Sequence, residues 1–526
     1  MDLIRLLIFA LSLYTVSFFF AKSLFFSSGN KKRMAPMAPG AWPLFGHLSF
    51  FKSSKPTHVT FGDMVEVLGP VFMMKLGSYN VLIISSQEVA KECFTVHDKV
   101  IDRIDLTASK ILGYDGSFLT FSSCGPYWKE MRKIATWELI STTTTDKFKD
   151  SREREVDMTF RDLYMRWEQE GGAKTGLLVD PSSKQFQDLL ANISLMMIVG
   201  KRYFGASPNC EAGEARRCGK LIQEFFNYFG LYLLSDVMPS LGWSEWKVKR
   251  DMKRTAKELD QVVEAWVEEH KKRRDDIPSC EKHYLDLLIE IFENREIPGT
   301  IHDAHTTTKA ICLNMVFAGS EPAIVVLVWV VSLLVNNPHE LRKAQEELDQ
   351  KIGRDKVVEE SDLNDLTYLH AIVKETLRLY PPLPLTAYRY VMEDFDITHG
   401  NFHVPAGTQV LVNEWKVQRD PNFWFEPELF KPERFLTSEK VDNVKGMGML
   451  FPFGLGRRSC PAIPLGMRMV HYVLARFLHT FDLAAPFSQD VDMTESNGFV
   501  NLKATPLLVL INPRLPKSLY HVDCKV

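Results

Sequence analysis

The stretch PFGLGRRSCPA, residues 452–462, sets one cysteine among two glycines and two arginines. Gly454 and Gly456 let the chain turn tightly enough to aim amides at the Cys460 sulfur, and Arg457 and Arg458 add positive charge. The apolar segment from Leu465 to Phe477 predicts a helix beginning just after the cysteine. Amide donors, a helix start and nearby cations all favour a thiolate, which is a good metal ligand. For a lone cysteine the alternative is an inert buried thiol beside a glycine turn. A second stretch, FAGSEPA at 317–323, interrupts the apolar run from Ile311 to Val335. Glu321 there must find a partner or hold a proton, because an isolated buried carboxylate is costly. Pro322 removes a backbone donor, which in a helix interior typically costs about 3 kcal/mol. HDAH puts His302 and His305 three residues apart. With no third ligand nearby, the pair reads as a solvated helix start rather than a metal site.

The elements that must hold these groups are legible in outline. The chain has 526 residues, 45% of them hydrophobic, so a large core is available. A net charge of −3 with nearly balanced signs excludes nucleic acid as the main partner. Eight scattered cysteines without a CxxC pair indicate free thiols in a reducing compartment and give no zinc site. Residues 1–26 are expected to be a membrane anchor: Leu6 to Ala21 is almost wholly apolar, and Leu24 to Phe26 extends it past Lys22. Lys31, Lys32 and Arg33 follow, which places the remainder in the cytosol and is the wrong flank for a cleaved signal peptide. Residues 27–60 form a basic, Pro/Gly-rich hinge and the start of the fold, and 61–526 a single domain. A hairpin is expected over 69–86, and helices over 185–200, 220–236, 255–273, 283–293 and 305–336. Asn337 as N-cap, Pro338 and Glu340 open a further helix. Strand-like pieces return at 387–412 and 499–512, so the fold class is mainly α with small β-sheets.

Phe453, Gly456, Arg458 and Cys460 match the F-x-x-G-x-R-x-C pattern of the cytochrome P450 superfamily, the haem-thiolate monooxygenases. KETLR supplies that superfamily's E-x-x-R pair as Glu375 and Arg378, and PERF supplies the third partner, Arg434. The resemblance covers essentially the whole chain. VNEWKVQRDPNFW and NLKATPLLVLINPRL resemble plant enzymes of specialised metabolism, most of all the family containing nicotine demethylase and other alkaloid and terpenoid oxidases.

This resemblance implies a haem b whose iron is ligated by Cys460, with strong electron donation that favours cleavage of dioxygen. It implies that Phe453 lies in the haem-binding loop and that Arg458, Trp128, Arg132 and Arg389 hold the haem propionates. Glu375, Arg378 and Arg434 are implied to form a structural network. Ala462 departs from the usual glycine two residues after the ligand. The distal helix of such enzymes carries A-G-x-(Asp/Glu)-Thr and opens locally. Ala318, Gly319 and Glu321 match, but Pro322 stands where the alcohol is usual. Glu321 is therefore the expected catalytic residue, while Ser320 points elsewhere on the helix. Three readings stay open: Glu321 with ordered water delivers protons, the substrate brings its own polar group, or the enzyme is a dioxygen-independent isomerase or dehydratase.

The resemblance nominates Phe118, Leu119, Phe226, Asn314, Ala318, Leu385, Thr386, Ala387 and Phe499 for the substrate pocket. It implies oxidation of a lipophilic small molecule, an alkaloid or else a terpenoid or phenolic, with dioxygen as co-substrate. Electrons would come from an NADPH-dependent flavoprotein reductase docked near Lys129, Lys133 and Arg457. The chain has no phosphate-cradling glycine fingerprint of its own. The implied location is the endoplasmic reticulum membrane, with one anchor in the lipid and the catalytic domain in the cytosol.

Overall fold

The computed structural model describes residues 32–52, 55–205, 211–274, 278, 281–386, 388–436, 450–486 and 489–520. The expected anchor, residues 1–26, and Ala387 lie outside them. Ten helices carry the argument: α1 Pro126–Lys133, α2 Lys149–Gln169, α3 Phe186–Val199, α4 Ala212–Phe229, α5 Trp246–Arg273, α6 Tyr284–Asn294, α7 Ala304–Asn336, α8 Pro338–Lys351, α9 Thr367–Leu379 and α10 Ile463–Thr480.

At the centre lies α7. It is apolar on every side and is correspondingly buried on nearly every side, from Thr307 to Val335. It is long and apolar enough to cross a bilayer, but 78% of its most apolar window is buried inside the protein, so it is a core helix. Its start is capped by Asp303, which accepts from the Thr306 amide at 2.7 Å. At its far end Asn337 marks the expected boundary but does a different job. Its side chain donates to the Leu333 carbonyl at 2.7 Å, closing α7 rather than opening α8, whose cap has no side-chain bond.

α2 was not among the expected helices, and its buried face explains the omission. Val156, Phe160, Leu163 and Tyr164 share that face with Arg152 and Glu155. Two charged residues break the apolar stripe in sequence, but each is paired in space. Arg152 makes a bidentate bond to Glu360 at 2.6 and 2.7 Å, and Glu155 accepts from Arg202 at 2.9 Å. α4 begins eight residues before the expected segment and stops at Phe229 rather than running to 236.

The expected hairpin forms, with β1 (Val71–Leu76) and β2 (Tyr79–Ile84) antiparallel around Gly77. Four further strands matter here: β3 (Ile101–Arg103), β4 (Leu177–Val179), β5 (Arg389–Val391) and, after the two-stranded pair β6 (Phe395–Ile397) and β7 (Phe402–Val404), β8 (Gln409–Val412). The main sheet runs β1-β2-β8-β5-β3, with β2 and β8 parallel. β4 pairs with β10 (Val509–Pro513), which also pairs with β9 (Phe481–Ala484). Residues 499–508, expected as strand, contain only an isolated bridge at Lys503.

One ion network fastens the helical body to the loops that follow β8. Arg378 on α9 grips Glu375 with two bonds of 2.7 and 2.9 Å, and both residues are fully buried. Its remaining N–H groups reach the carbonyls of Gln418, Pro427 and Leu429. Glu375 in turn accepts from Arg434 Nε at 3.0 Å and from the Lys431 amide at 2.9 Å. Breaking such a pair leaves an uncompensated buried charge, which costs roughly 3–5 kcal/mol. Arg378→Leu is therefore expected to lower unfolding stability by about that amount and to cut haem incorporation, read by denaturant titration and by haem absorbance per protein. A variant unfolding at the wild-type midpoint would show that the network carries no such weight.

Candidate active site

The Cys460 loop is built backwards from its hydrogen bonds. The Cys460 amide donates to the Phe453 carbonyl at 2.8 Å, closing the loop, and the Ala462 amide points at Sγ from 3.4 Å. Gly454 and Gly456 both have positive φ, 74° and 69°. At Gly456 a side chain is excluded twice over, because a Cβ would sit 2.0 Å from the Phe94 carbonyl oxygen. α10 starts two residues after Ala462's neighbour Pro461, so the cysteine does precede a helix start. The expected depression of the thiol pKa is not what the protein alone produces. Burial dominates and pushes the Cys460 thiol up, and the Ala462 amide and Arg132 only partly oppose it. A coordinated metal cation is what would deprotonate it outright.

Across a cavity of about 400 Å³ from this loop lies α7. Ala318, Gly319 and Pro322 are the exposed positions in an otherwise buried stretch, and all three face that cavity. α7 stays helical through Pro322, so the expected opening reduces to the one bond that proline cannot make, at the Ala318 carbonyl. Ser320 turns away and bonds the Val316 carbonyl at 3.0 Å. Glu321 lines the cavity, and burial pushes its carboxyl up to about 7. One turn before Ala318, Asn314 donates to Thr120 Oγ1 at 2.9 Å, a polar tie across a wall that is mostly apolar.

The rim of the cavity carries an unbalanced charge. β3 and β5 pair so that Arg103 and Arg389 stand directly opposite each other. Like charges at such a position repel. Arg458 joins them, stacked on Trp128 at 4.5 Å and bonded to Asp102 at 2.6 Å. Arg389 lies over Phe94 at 4.2 Å, with Nε and Nη1 buried and without partners, and Arg458 Nη1 is likewise unpartnered. Burial and the neighbouring arginines hold Arg103 and Arg389 below their usual range. Arg389 feels Arg458 and Arg457 on one side of the balance and Asp98 and Asp102 on the other, and two of its own nitrogens and one of Arg458's are left without partners at the cavity. Haem b carries two propionates, so the rim fits it in charge. The sulfur on one wall fits it in ligand chemistry.

The family model for cytochrome P450 matches residues 36–510. The chain belongs to the cytochrome P450 family. It is 43% identical to strychnine-10-hydroxylase of Strychnos nux-vomica, over 93% of each chain. It is 42% identical to xanthotoxin 5-hydroxylase of Arabidopsis thaliana, over 95% of this chain and 96% of that one. A zebrafish cytochrome P450 solved with progesterone superimposes with a TM-score of 0.72 at 23% identity, covering 87% of this chain and 100% of that chain, which shows the fold. As a cytochrome P450 monooxygenase the chain takes haem with a thiolate-ligated iron and uses dioxygen, a small-molecule substrate and a redox partner.

Within this P450 the cavity brings together Trp128, Arg132, Arg389, Phe453, Arg458, Cys460 and Glu321, with Leu119, Asn314, Ala318, Thr386 and Phe499. Three nominated pocket residues lie elsewhere. Phe118 is fully buried among Phe225 and Phe229, so it is core. Phe226 packs on Phe225 and Phe317. Leu385 packs toward the sheet, while its neighbour Thr386 and Leu383 line the wall. Arg457 is no free docking charge, because its guanidinium is half-buried and paired with Asp98 at 3.0 Å. Lys129 is exposed, and Lys133 is exposed but paired with Glu130 at 3.1 Å. His302 bonds the Tyr114 carbonyl at 3.1 Å, whereas His305 meets Glu264 at 2.9 Å, so the two histidines part company. Arg103 and Asp102 were missed. Only the strand register, which sets Arg103 opposite Arg389, reveals them.

Gly456→Ala combines a positive φ with a backbone collision, so at least a few kcal/mol of destabilisation is expected, beyond the roughly 1–2 kcal/mol of the φ alone. Haem content after purification should fall with it. Wild-type haem content in this variant would show that the loop has slack the geometry denies.

Proposed function

We propose that this cytochrome P450 oxidises a lipophilic alkaloid of plant specialised metabolism, with electrons supplied by an NADPH-dependent flavoprotein reductase. The observation that carries the reading is the two-walled cavity, with the Cys460 sulfur on one side and Glu321 in the apolar face of α7 on the other. The relative that acts on strychnine supports the alkaloid class. The similarly close xanthotoxin hydroxylase favours a phenolic-type substrate as the second reading. Residues 1–26 would anchor the chain in the endoplasmic reticulum membrane, residues 27–60 form the hinge and the start of the fold, and residues 61–526 form the rest of the cytosolic catalytic domain.

When bound, the haem supplies the reduction and cleavage of dioxygen. Cys460 would ligate its iron, and Arg103, Arg389 and Arg458, with Trp128 and Arg132 beside them, would hold its propionates. Reduction of dioxygen consumes protons, and Glu321 is placed to pass them. With its carboxyl near 7 it exists in both forms at neutral pH, which suits a group that must give up and recover a proton. The Ala318 carbonyl, released from the helix ladder by Pro322, is free to accept from a water that would stand in for the usual alcohol. Asn314, Leu119, Thr386 and Phe499 bound the space for the substrate, and the apolar walls keep bulk water out.

Two measurements test this reading. Cys460→Ser is expected to abolish the long-wavelength absorption band of the reduced carbon monoxide adduct, which depends on thiolate donation. Persistence of that band would remove Cys460 from the role. Glu321→Gln is expected to lower turnover by about 10²-fold or more, as loss of a general acid does, and to lower product formed per NADPH consumed. An unchanged ratio would take proton delivery away from Glu321. Product formed without dioxygen or NADPH would replace oxidation with an isomerase or dehydratase reaction.

A further inference from the structure

A second carboxyl, Glu414, lines the same cavity and has no part in the chemistry above. It opens the short helical turn Glu414–Val417 that follows β8 and is only 3% exposed. The turn is firmly placed. Asn413 accepts from the Lys416 amide and donates to the His58 carbonyl at 2.8 Å. It also bridges to Leu385, and the Trp415 amide donates to the Pro384 carbonyl at 3.1 Å. Glu414 is thereby held beside Pro382, Leu383 and Thr386, all of which line the cavity.

Glu414 Oε1 is buried without a hydrogen-bond partner. The guanidiniums that pack on this segment are committed elsewhere: Arg378 to Glu375, and Arg419 to Glu428 and the Trp415 ring. Gln418, one turn on, is fully buried with both ends of its amide unpartnered. An amide can lend a hydrogen bond but no counter-charge. Burial alone therefore pushes the Glu414 carboxyl well above its usual range. A carboxyl kept this way, in an apolar wall, is costly unless something in the cavity answers it.

We propose that Glu414 anchors a basic nitrogen of the substrate and so selects lipophilic tertiary amines over uncharged molecules of similar size. The inference rests on the alkaloid reading above and gives it a residue. On binding, the neutral carboxyl gives its proton to the amine, and the resulting carboxylate and ammonium pair inside the cavity. No covalent bond changes. The two ends of the cavity then complement two different ligands. The arginine rim takes the anionic edge of the haem, and the wall carrying Glu414 takes the cationic end of the substrate.

The test uses the haem-loaded enzyme and reads binding by equilibrium dialysis, alongside the haem absorbance change. Strychnine and other lipophilic tertiary amines are each matched with an uncharged amide or carbon analogue, and xanthotoxin serves as an additional uncharged probe. The wild type is expected to bind the amines roughly tenfold or more tighter than their analogues, as a charge-assisted bond would give. Glu414→Gln should erase that preference while leaving the uncharged probes within about twofold, and Glu414→Asp should restore part of it. Equal affinity of the wild type for amines and analogues would overturn the anchor, whatever the variants do. So would a preference that survives Glu414→Gln, which would mean that Glu414 holds only buried water. Equal weakening of both classes would mean that it acts through packing. An enzyme that oxidises xanthotoxin-like molecules without amine preference loses the anchor but keeps its monooxygenase role. Failure to bind haem would strike that role instead.

Discussion

The fully buried pair of Glu375 and Arg378 is the constraint on which the rest of the site depends. Arg378 spends every N–H it has: two on the carboxylate and the others on three backbone carbonyls spread over residues 418–429. A guanidinium used this way is less an ion pair than a template, because its planar fork fixes where those carbonyls must lie. Arg434 and the Lys431 amide complete the carboxylate's partners. Irregular chain that could not hold a fixed path by its own ladder is tied to α9, and α9 is packed against α7 and α10. The two cavity walls therefore share one helical frame.

Electrostatics divides the cavity. Its rim holds more arginine than acid, and its apolar side holds two carboxyls, Glu321 and Glu414, that no described basic residue answers. Each half leaves buried polar atoms without protein partners. Each makes sense as half of a pair whose other member enters from outside, which is how binding energy can be stored in a fold that is otherwise well satisfied.

Sequence spacing carried the Cys460 loop, the α7 core helix and the first hairpin, because each is written in near neighbours or in one uninterrupted apolar run, while the Glu375–Arg378–Arg434 network was implied by the family resemblance. What it could not carry was contact across sequence distance. Arg103 became visible only when β3 and β5 were in register, since nothing local to Ile101–Arg103 marks it. Phe118 and Leu385 failed as pocket residues for a related reason. A one-residue step along an extended or looping segment reverses the side a residue faces, and the next residues, Leu119 and Thr386, hold the cavity-facing positions. α2 escaped notice because its buried stripe is part charge, and the partners that make those charges tolerable lie on other elements. The thiol of Cys460 shows the limit of counting donors: the nearby amide and arginine do not outweigh desolvation.

The opposition of Arg103 and Arg389 has a bearing on how the protein assembles. β3 is three residues long and forms the edge of the main sheet, paired with β5 and pinned at Asp102 by the Cys124 amide and Arg458. Its last ladder position sets Arg103 opposite Arg389, a pairing of like charges that an anion at the rim would ease. Cofactor capture and closure of the sheet edge are therefore thermodynamically linked, each favouring the other by the same free energy. Occupation of the rim by an anionic cofactor edge would thus tighten the short edge strand, so that haem loading and resistance to opening at this edge would rise together.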